Sequence, residues 1–322
     1  MMEYTFCGKS GLQLPRISLG LWHHFGFADD FEHARQMVVF AFEQGVTHFD
    51  LANNYGPPPG SAESNFGRII KEQLASHRDE MIISSKAGHL MWEGPYGDGS
   101  SRKYLMASID QSLKRTGLDY FDIFYSHRFD PHTPVEETMQ ALVDIVRAGK
   151  ALYVGLSKYP PAEARIAMRY LAERDVPCLI FQDKYSMFNR QPEQEILAVT
   201  RDFGTGFIAF SPLAQGLLTN KYLHGIPEYS RAADPAGFLQ REQVSHLLVQ
   251  KVSQLNEMAA GRGQSMAEMA LAWVLRDERV TSLIVGARNV EQLNDNLKAL
   301  EHLAFTQDEL VLIDQILDGA TL

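Results

Sequence analysis

The amino-acid sequence predicts an α/β fold, a (β/α)8 TIM barrel with an N-terminal β-hairpin and long βα loops over the active site. Three observations predict it. Short apolar runs alternate with longer segments of helical spacing, which is typical of parallel βα units. There are about eight such runs, the number that closes this barrel. Polar residues stand where the runs end, at the face where barrel enzymes carry their chemistry. We expect one domain over residues 1–322.

The apolar runs are the predicted barrel strands. In chain order they are Ile17–Leu21, Thr47–Leu51, Met81–Ser85, Phe121–Ser126, Leu152–Leu156, Leu179–Gln182, Gly206–Phe210 and Ser282–Val285. A hairpin is predicted before them, with strands Tyr4–Phe6 and Leu14–Ile17 around a turn that contains Gly8 and Gly11. We expect this hairpin to plug the bottom of the barrel.

Helical spacing fills the segments between the strands. Buried-type residues recur three to four positions apart in Ala34, Val38, Ala41 and Phe42, and again in Leu105, Ile109, Ser112 and Leu113. The regularity fails at Gly88–Arg102 and Leu213–Phe238, which follow the third and seventh strands. Both segments occupy βα loop positions, so we interpret them as lids or ligand loops. A mobile surface loop is the open alternative.

Composition and charge exclude several classes of protein. The formal net charge is −10, so nucleic acid and anionic membrane surfaces are poor partners. Cys7 and Cys178 form no CxxC pair, and we predict neither a disulfide framework nor a metal site. The first residues do not resemble a signal peptide, and no apolar run approaches the roughly 20 residues that span a bilayer. We therefore expect a cytoplasmic protein.

Polar residues stand at the ends of the predicted strands. They are Asp50, Lys86, His127, Ser157, Gln182 and Ser211. In a barrel these ends converge on one face, so residues far apart in sequence surround one pocket. Taken singly, Asp50 also fits a turn cap, Lys86 a solvated strand end and His127 a core histidine. Tyr55 alone fits a loop aromatic. Their joint placement favours a catalytic site.

Together, Asp50, Tyr55, Lys86 and His127 fit the reduction of a carbonyl group. A tyrosine with a pKa of ~10 is a poor proton donor at neutral pH, and an adjacent ammonium lowers that pKa. We predict that Lys86 is this ammonium and that Asp50 holds it. Tyr55 is the predicted general acid, and His127 the predicted hydrogen-bond partner of the carbonyl oxygen. No side chain supplies a hydride, so a nicotinamide is implied.

A dinucleotide fingerprint does not accompany these residues. The segment Gly261–Met266 begins like GxGxxG but lacks the third glycine and follows a helical stretch. The nicotinamide site must therefore use another architecture.

Several segments resemble the aldo-keto reductases, in order and at comparable spacing. They are Phe49–Gly56, Ser61–Glu63, Ile83–Lys86 and Tyr125–Arg128. Within that superfamily the chain is similar to the bacterial L-glyceraldehyde 3-phosphate reductases, which are related to the potassium-channel β subunits. The segments behind this choice are Asn53–Glu63, Gly94–Gly97, Ser100–Tyr104, Gly149–Gly155 and Ser211–Leu218. The resemblance covers nearly the whole chain and implies a barrel that binds NADP(H).

The resemblance also implies a set of cofactor residues. Ser157 and Gln182 hold the nicotinamide carboxamide beside Asp50, and Phe210 stacks on its ring, although barrel core is the other interpretation of Phe210. Trp22 stands near the cofactor and the reacting carbonyl. The pyrophosphate is wrapped by backbone N–H groups, with charge from Lys221. This wrapping segment comprises Ser211, Pro212, Leu213, Ala214, Gln215 and Gly216.

The segment after the last strand resembles the adenosine-phosphate part of such a site. The residues that carry this resemblance are Gly286, Arg288, Gln292, Asp295 and Asn296. Arg288 departs from the smaller polar residue usual there, and an arginine can clamp a 2′-phosphate bidentately. Arg231 is a second candidate for the clamp, and NADP is favoured over NAD. Lys158, beside Ser157, is another departure from the family pattern.

Substrate contacts are predicted for Trp22, Tyr55, His127, Trp92 and Arg128. The resemblance implies a small aldehyde, either L-glyceraldehyde 3-phosphate or methylglyoxal. Cations in or beside the mouth loops are suited to a phosphorylated triose, and they fit solvated loop charges equally well. These cations are Arg102, Lys103, Arg128 and His89.

Other functions stay open at this point. A cofactor-sensing subunit of a membrane channel would use the same fold for binding, although the channel subunits carry Asn where this chain has His127. A Schiff-base aldolase would use Lys86, but it leaves Tyr55 unexplained. A metal-dependent hydrolase lacks His and carboxylate ligands at the strand ends. The resemblance also implies a homo-oligomer.

Overall fold

The computed structural model describes residues 2–228, 230–234 and 237–318, and within these ranges eight parallel strands close into one barrel. A two-stranded antiparallel hairpin precedes it. The strands are β1 Tyr4–Phe6, β2 Gln13–Pro15, β3 Ile17–Gly20, β4 His48–Asp50, β5 Ile82–Ala87, β6 Phe121–Ser126, β7 Ala151–Ser157, β8 Cys178–Lys184, β9 Gly206–Phe210 and β10 Val280–Val285. Each of β3 to β9 pairs with the next strand, and β10 joins β9 to β3. The predicted fold class is confirmed.

The predicted strand bounds need one substantial correction. Leu14–Ile17 was expected as one hairpin strand, but β2 ends at Pro15 and Ile17 already pairs with Leu283 in the barrel. Arg16 separates the two strands because its guanidinium donates to the carbonyls of Val280 and Leu275, both at 2.7 Å. The other bounds agree or differ by one or two residues at an end.

The hairpin closes the amino-terminal end of the barrel. Cys7 and Leu14 are fully buried and pack against interior side chains such as Ile123 and Ile208. The Cys7 thiol donates to the carbonyl of Leu179, near the start of β8, at 3.4 Å. Since this end is filled with apolar side chains, the opposite end is left for chemistry.

Helices surround the barrel. They are α1 Phe31–Glu43, α2 Ser61–Ile69, α3 Arg102–Thr116, α4 Val135–Arg147, α5 Pro161–Ala172, α6 Gln191–Gln194, α7 Ile196–Phe203, α8 His246–Gly261, α9 Met266–Leu275, α10 Val290–Leu297 and α11 Gln307–Leu317. Asp30 caps α1 and Ser101 caps α3 through side-chain oxygens, which accept from first-turn amides. The predicted spacing is confirmed where Ala34 and Val38 of α1, and Leu105 and Ile109 of α3, are buried.

The two irregular segments remain irregular in the structure. Residues 88–101 form bends and turns before α3 begins at Arg102. The second segment carries short 3-10 turns at Ala214–Gly216, Asn220–Tyr222 and Arg231–Ala233, while positions 229, 235 and 236 lie outside the described residues. Among the described helices, none is long and apolar enough to cross a membrane. The lid role of both segments stays a prediction, as does the extent of one domain over 1–322.

Candidate active site

The carboxyl ends of the strands bring the predicted polar residues to one face. Asp50 ends β4, Ser157 ends β7, and Lys86 is the penultimate residue of β5. The amide of His127, directly after β6, donates to the carbonyl of Ala87 at 2.9 Å. These backbone contacts fix the order of the side chains around the mouth, because each strand end is tied to its neighbour.

Asp50 and Lys86 form a buried ion pair. The Lys86 ammonium lies 2.6 Å from Oδ2 of Asp50, and it also donates to the carbonyl of Leu51 at 2.6 Å. The other carboxylate oxygen accepts from the Ser84 hydroxyl at 2.8 Å and from the Gln182 amide at 3.2 Å. Burial lowers the pKa of Lys86, and the Asp50 charge opposes this effect. Both oxygens of Asp50 are therefore held by fixed donors.

Tyr55 lies above this pair. Its ring centre is 5.2 Å from the Lys86 ammonium, 6.2 Å from the His127 ring and 6.3 Å from the Trp22 ring. Burial and the negative charge of Asp50 raise the pKa of Tyr55 well above its ordinary value. This direction is opposite to the lowering of the Tyr55 pKa expected from Lys86, whose charge is opposed by Asp50 at contact distance. Tyr55 is consequently a protonated phenol at pH 7.

His127 belongs to a group of positively charged and imidazole side chains. The His89 ring packs edge-on against it, with ring centres 4.4 Å apart, and the Lys158 ammonium lies 3.3 Å from Nε2 of His89. Burial, followed by the charge of Lys86, holds the pKa of His127 well below its ordinary value. Burial and the Lys158 charge lower the pKa of His89 to about 4. Both imidazoles are neutral at pH 7 and can each donate one hydrogen bond.

The remaining predicted substrate residues lie in different settings. Trp22 is half-buried and its ring is 6.3 Å from that of Tyr55. The Trp92 side chain packs on Tyr104, with ring centres 5.8 Å apart, at the back of the first loop. Arg128 donates to the carbonyl of Gly88 at 2.7 Å and pairs with Asp98 at 2.8 Å, so its charge is used within the loop.

The other two loop cations also have local partners. Arg102 pairs with Asp144 of α4 on the helical surface. The Lys103 ammonium lies 5.0 Å from the centre of the Tyr96 ring. Of the loop residues named from the sequence as phosphate contacts, His89 is therefore the one beside His127, and the Lys158 ammonium lies next to it.

The predicted nicotinamide residues line one side of the same mouth. Ser157 and Gln182 are paired across neighbouring strands, and Phe210 ends the next strand. Within the described part of the chain, the buried hydroxyl of Ser157 and Nδ1 of His127 have no hydrogen-bond partner. Buried polar atoms are normally paired. A carboxamide with its donor and acceptor groups fits such atoms, so these residues suit a nicotinamide.

The segment predicted for the pyrophosphate has a strained backbone. Ser211, Ala214 and Gln215 adopt φ of 52°, 46° and 60°, which non-glycine residues rarely do. The turn at Leu213 and Ala214, whose φ angles are −94° and 46°, can direct successive amides into a concavity that suits an anion. The amides of Ala214 and Gly216 donate to the carbonyls of Ser211 and Leu213, at 2.9 Å each. The predicted contacts with the pyrophosphate are therefore left to the other amides of the segment. Pro212 supplies none.

A second group of cations lies beyond this segment. Burial and the charges of Arg288 and Arg231 lower the pKa of Lys221, and burial and the charge of Arg288 lower that of Arg231. Nε2 of His33 contacts the carbonyl of Arg288. The three predicted cations are therefore close enough to repel each other, which is the arrangement a phosphate dianion would stabilise.

The predicted adenosine-side residues lie in the segment before α10 and along that helix. Gly286 is exposed, and the Gln292 side chain accepts from the amide of Arg288 at 2.9 Å. Asp295 pairs with Lys298 on the helical surface at 2.7 Å, whereas Asn296 is buried. Their cofactor roles stay predictions.

Ser84 is a site residue that the sequence reasoning missed. Its hydroxyl donates to Oδ1 of Asp50 at 2.8 Å, a shorter hydrogen bond than the one from the Gln182 amide at 3.2 Å. A usable signal exists, because Ser84 and Lys86 are two residues apart on one strand and point to the same side. The sequence analysis interpreted Met81–Ser85 as a buried strand and Ile83–Lys86 as part of the family resemblance, and it gave Ser84 no role in the site.

The model of the Aldo/keto reductase family matches residues 16–318. The chain belongs to this family. This aldo/keto reductase is 55% identical over 323 residues to the L-glyceraldehyde 3-phosphate reductase of Escherichia coli O157:H7, covering 99% of this chain and 93% of that protein. It is 36% identical over 307 residues to the probable voltage-gated potassium channel subunit beta of Arabidopsis thaliana, covering 93% and 92%. The corresponding protein of Oryza sativa subsp. japonica is 35% identical over 317 residues, covering 96% and 94%.

These similarities confirm the resemblance predicted from the motifs. The aldo/keto reductase is an oxidoreductase that acts on aldehydes, and reductases of its family use NAD(P)H.

Proposed function

We propose that this protein reduces a small aldehyde with NADPH and that Tyr55 is the proton donor. The observation that carries the proposal is the buried Asp50–Lys86 pair, whose ammonium lies 5.2 Å from the Tyr55 ring centre beside a neutral His127. Bound NADPH supplies the hydride, which no side chain of this site can provide.

Each member of the group has a separate task in this reaction. Tyr55 donates its proton to the carbonyl oxygen, and the Lys86 ammonium stabilises the phenolate that results. Asp50 keeps Lys86 charged and fixed in place. Neutral His127 donates a hydrogen bond that orients the carbonyl beside Tyr55. Tyr55 is a protonated phenol at pH 7, so its proton is present when the substrate arrives.

The cations at the far end of the site favour NADP over NAD. Besides burial, the charges of Arg288 and Arg231 lower the pKa of Lys221, and the charge of Arg288 lowers that of Arg231; only NADP carries a 2′-phosphate that would offset this repulsion. Ser157 and Gln182 would hold the carboxamide and Phe210 would face the ring.

The positive charge of Lys158 at the mouth, next to the neutral His89, favours a phosphorylated substrate. Lys158 and His89 are neighbours at 3.3 Å, directly beside His127, and can together donate to one phosphate group. L-Glyceraldehyde 3-phosphate has an aldehyde and a phosphate two carbons apart, and a relative that is 55% identical is named for its reduction. Methylglyoxal is a second candidate substrate, and it lacks the phosphate.

Lys86 also bears on the aldolase alternative. A Schiff base needs an accessible neutral amine, whereas Nζ of Lys86 is fully buried and bonded to Asp50 and to the carbonyl of Leu51.

A cytoplasmic location and a homo-oligomeric state belong to our proposal as well. The location is supported by Cys7 and Cys178, which are free buried thiols.

The proposal is tested by NADPH oxidation with the purified protein and three aldehydes: L-glyceraldehyde 3-phosphate, L-glyceraldehyde and methylglyoxal. We expect the highest kcat/KM with the phosphorylated aldehyde and a lower value with NADH in place of NADPH. Absence of turnover with all three aldehydes, in protein that binds NADPH, would contradict the proposed reaction.

A further inference from the structure

A chain of buried polar side chains connects Asp50 to the closed end of the barrel. The Ser84 hydroxyl that donates to Asp50 lies 3.0 Å from Nε2 of His48, and Nδ1 of His48 lies 2.9 Å from the Ser18 hydroxyl. Ser18 lies 2.8 Å from Ser282, whose hydroxyl donates to the carbonyl of Pro15 at 2.6 Å. The chain thus runs through the inside of the barrel from the active site to the hairpin.

None of the chain's side chains is accessible to solvent. Ser18, His48, Ser84 and Ser282 are all 0% exposed. Burying polar groups costs free energy unless each of them is hydrogen-bonded, and apolar residues fill most of this interior. The proposed reduction gives His48 no direct part, because both of its ring nitrogens are bonded to buried serines, Ser18 and Ser84. The buried position of His48 is explained by its hydrogen bond to Ser84, which in turn holds Asp50.

We propose that His48 is a positioning residue that fixes the Asp50 carboxylate, and with it Lys86, through the hydroxyl of Ser84. The inference rests on the proposed function, in which the Asp50–Lys86 pair supports proton transfer from Tyr55. His48 and Asp50 are two residues apart on β4 and point to the same side, so the imidazole sits directly below the carboxylate.

Counting hydrogens fixes the direction of the bonds. The chain has five contacts and ends on an acceptor at both ends, at Pro15 and at Asp50. Three hydroxyls and a neutral imidazole supply 3 + 1 = 4 hydrogens, so one contact is left without a hydrogen. The imidazole is neutral because burial lowers the pKa of His48 to about 4.

The charge of Asp50 decides where the four hydrogens lie. The Ser84 hydrogen goes to the carboxylate, which is the strongest acceptor in the chain. Ser84 then accepts from Nε2–H of His48, and Nδ1 accepts from Ser18. Three consecutive donors therefore point towards Asp50, and bonds aligned in this way strengthen one another. The contact without a hydrogen lies beyond Ser18, at one of the two contacts of the Ser282 hydroxyl, far from the charge.

The consequence is a carboxylate that cannot rotate. Ser84 and Gln182 hold Oδ1, and Lys86 holds Oδ2. Without the imidazole behind it, the Ser84 hydroxyl can turn to the carbonyl of Phe49, which is 3.5 Å away. Asp50 would then lose a fixed donor, and the Lys86 ammonium would sample positions farther from Tyr55.

The experiment compares H48M, H48Q and S84A in full-length protein with NADPH. Met is similar in length to His and makes no strong hydrogen bond, whereas Gln can donate to Ser84 from the position of Nε2. For H48M and S84A we expect kcat to fall about tenfold, which corresponds to the loss of one bond to a charged group. The Kd of NADPH should stay within about twofold, and H48Q should recover kcat to within about threefold of wild type. H246M, at an exposed position on α8, is the matched control.

The double variant distinguishes positioning from a merely structural role. If His48 acts through Ser84, H48M adds no further loss of kcat to S84A; independent effects would multiply. In 15N NMR of the wild-type protein, the His48 ring signals are assigned by their absence from the spectrum of H48Q. They should show a protonated Nε2 and an unprotonated Nδ1. Unchanged kcat in S84A and H48M, multiplying losses, or a protonated Nδ1 would each overturn the inference. Activity of the wild-type enzyme in the same assay tests the proposed function separately, because it does not depend on these variants.

Discussion

The Lys86 ammonium and the Asp50 carboxylate meet at 2.6 Å, where their side chains are 0% and 3% exposed. Removing two charges from water costs several kcal/mol per ion in a protein interior, so such a pair seldom adds to stability. A pair of apolar residues would pack this position at lower cost. The pair is therefore best explained by the chemistry of the neighbouring Tyr55.

Removal of only one member of the pair should be strongly destabilising. In K86M the Asp50 charge stays buried without its partner, and we expect the free energy of unfolding to fall by about 3–5 kcal/mol. The double variant D50N/K86M, which buries no charge, should recover part of this loss. Urea unfolding followed by circular dichroism measures both variants. Equal stability of K86M and wild type would show that Asp50 is not held as a buried anion.

Replacing Tyr55 with Phe should remove the proton donor and leave the rest of the site intact. We expect kcat to fall by about 10²–10⁴-fold, the usual contribution of a positioned general acid. The Kd of NADPH, measured by fluorescence titration, should stay close to that of wild type. Y120F serves as the control, because Tyr120 precedes β6 at the opposite end of the barrel. Full activity in Y55F would assign the proton donor to another residue.

The strands and the convergence of their polar ends could be predicted from the sequence. Buried parallel strands are continuous apolar runs, and Asp50, Lys86 and His127 each interrupt or follow one. A pKa is less predictable, because it depends on every charge nearby. The Tyr55 prediction considered Lys86 but gave no weight to Asp50, whose charge raises the pKa together with burial.

Loop partners could not be predicted for a different reason. Arg128 pairs with Asp98, thirty residues away in another loop, and its contact with the substrate stays a prediction. Lys158 was noted as a departure from the family, yet its neighbour His89 follows a different strand. Irregular loops have no periodicity that indicates which residues meet, so only the structure brings such pairs together.

The buried imidazole of His48 makes stability depend on pH. Burial lowers its pKa from 6.5 to about 4 in the folded protein. Between these values the unfolded chain binds a proton there and the folded protein does not, so the free energy of unfolding falls as pH falls. At pH 4 the loss reaches about 3 kcal/mol for this one group. Urea unfolding at pH 7 and pH 4.5 should show a smaller difference for H48Q; equal differences in H48Q and wild type would contradict this.

The cofactor preference should depend on the cations beyond the strained turn. We expect R288A to raise the Kd of NADPH by about tenfold or more, since one bond to a charged phosphate contributes about 1.5–3 kcal/mol. The Kd of NADH should change little, because NADH has no 2′-phosphate. R231A should likewise raise the Kd of NADPH and leave the Kd of NADH nearly unchanged. Equal losses for the two cofactors would show that these arginines do not contact the 2′-phosphate.

Lys158 should decide how well the enzyme distinguishes a phosphorylated aldehyde from a neutral one. Its ammonium lies 3.3 Å from His89, whereas Arg102 at the same rim already pairs with Asp144. K158M should therefore raise KM for L-glyceraldehyde 3-phosphate by about tenfold, the value of one charge-assisted bond, and leave kcat/KM for methylglyoxal nearly unchanged. R102A is the matched control and should affect neither substrate. A K158M variant that loses activity equally with both aldehydes would place Lys158 against the cofactor instead, because every substrate shares that partner.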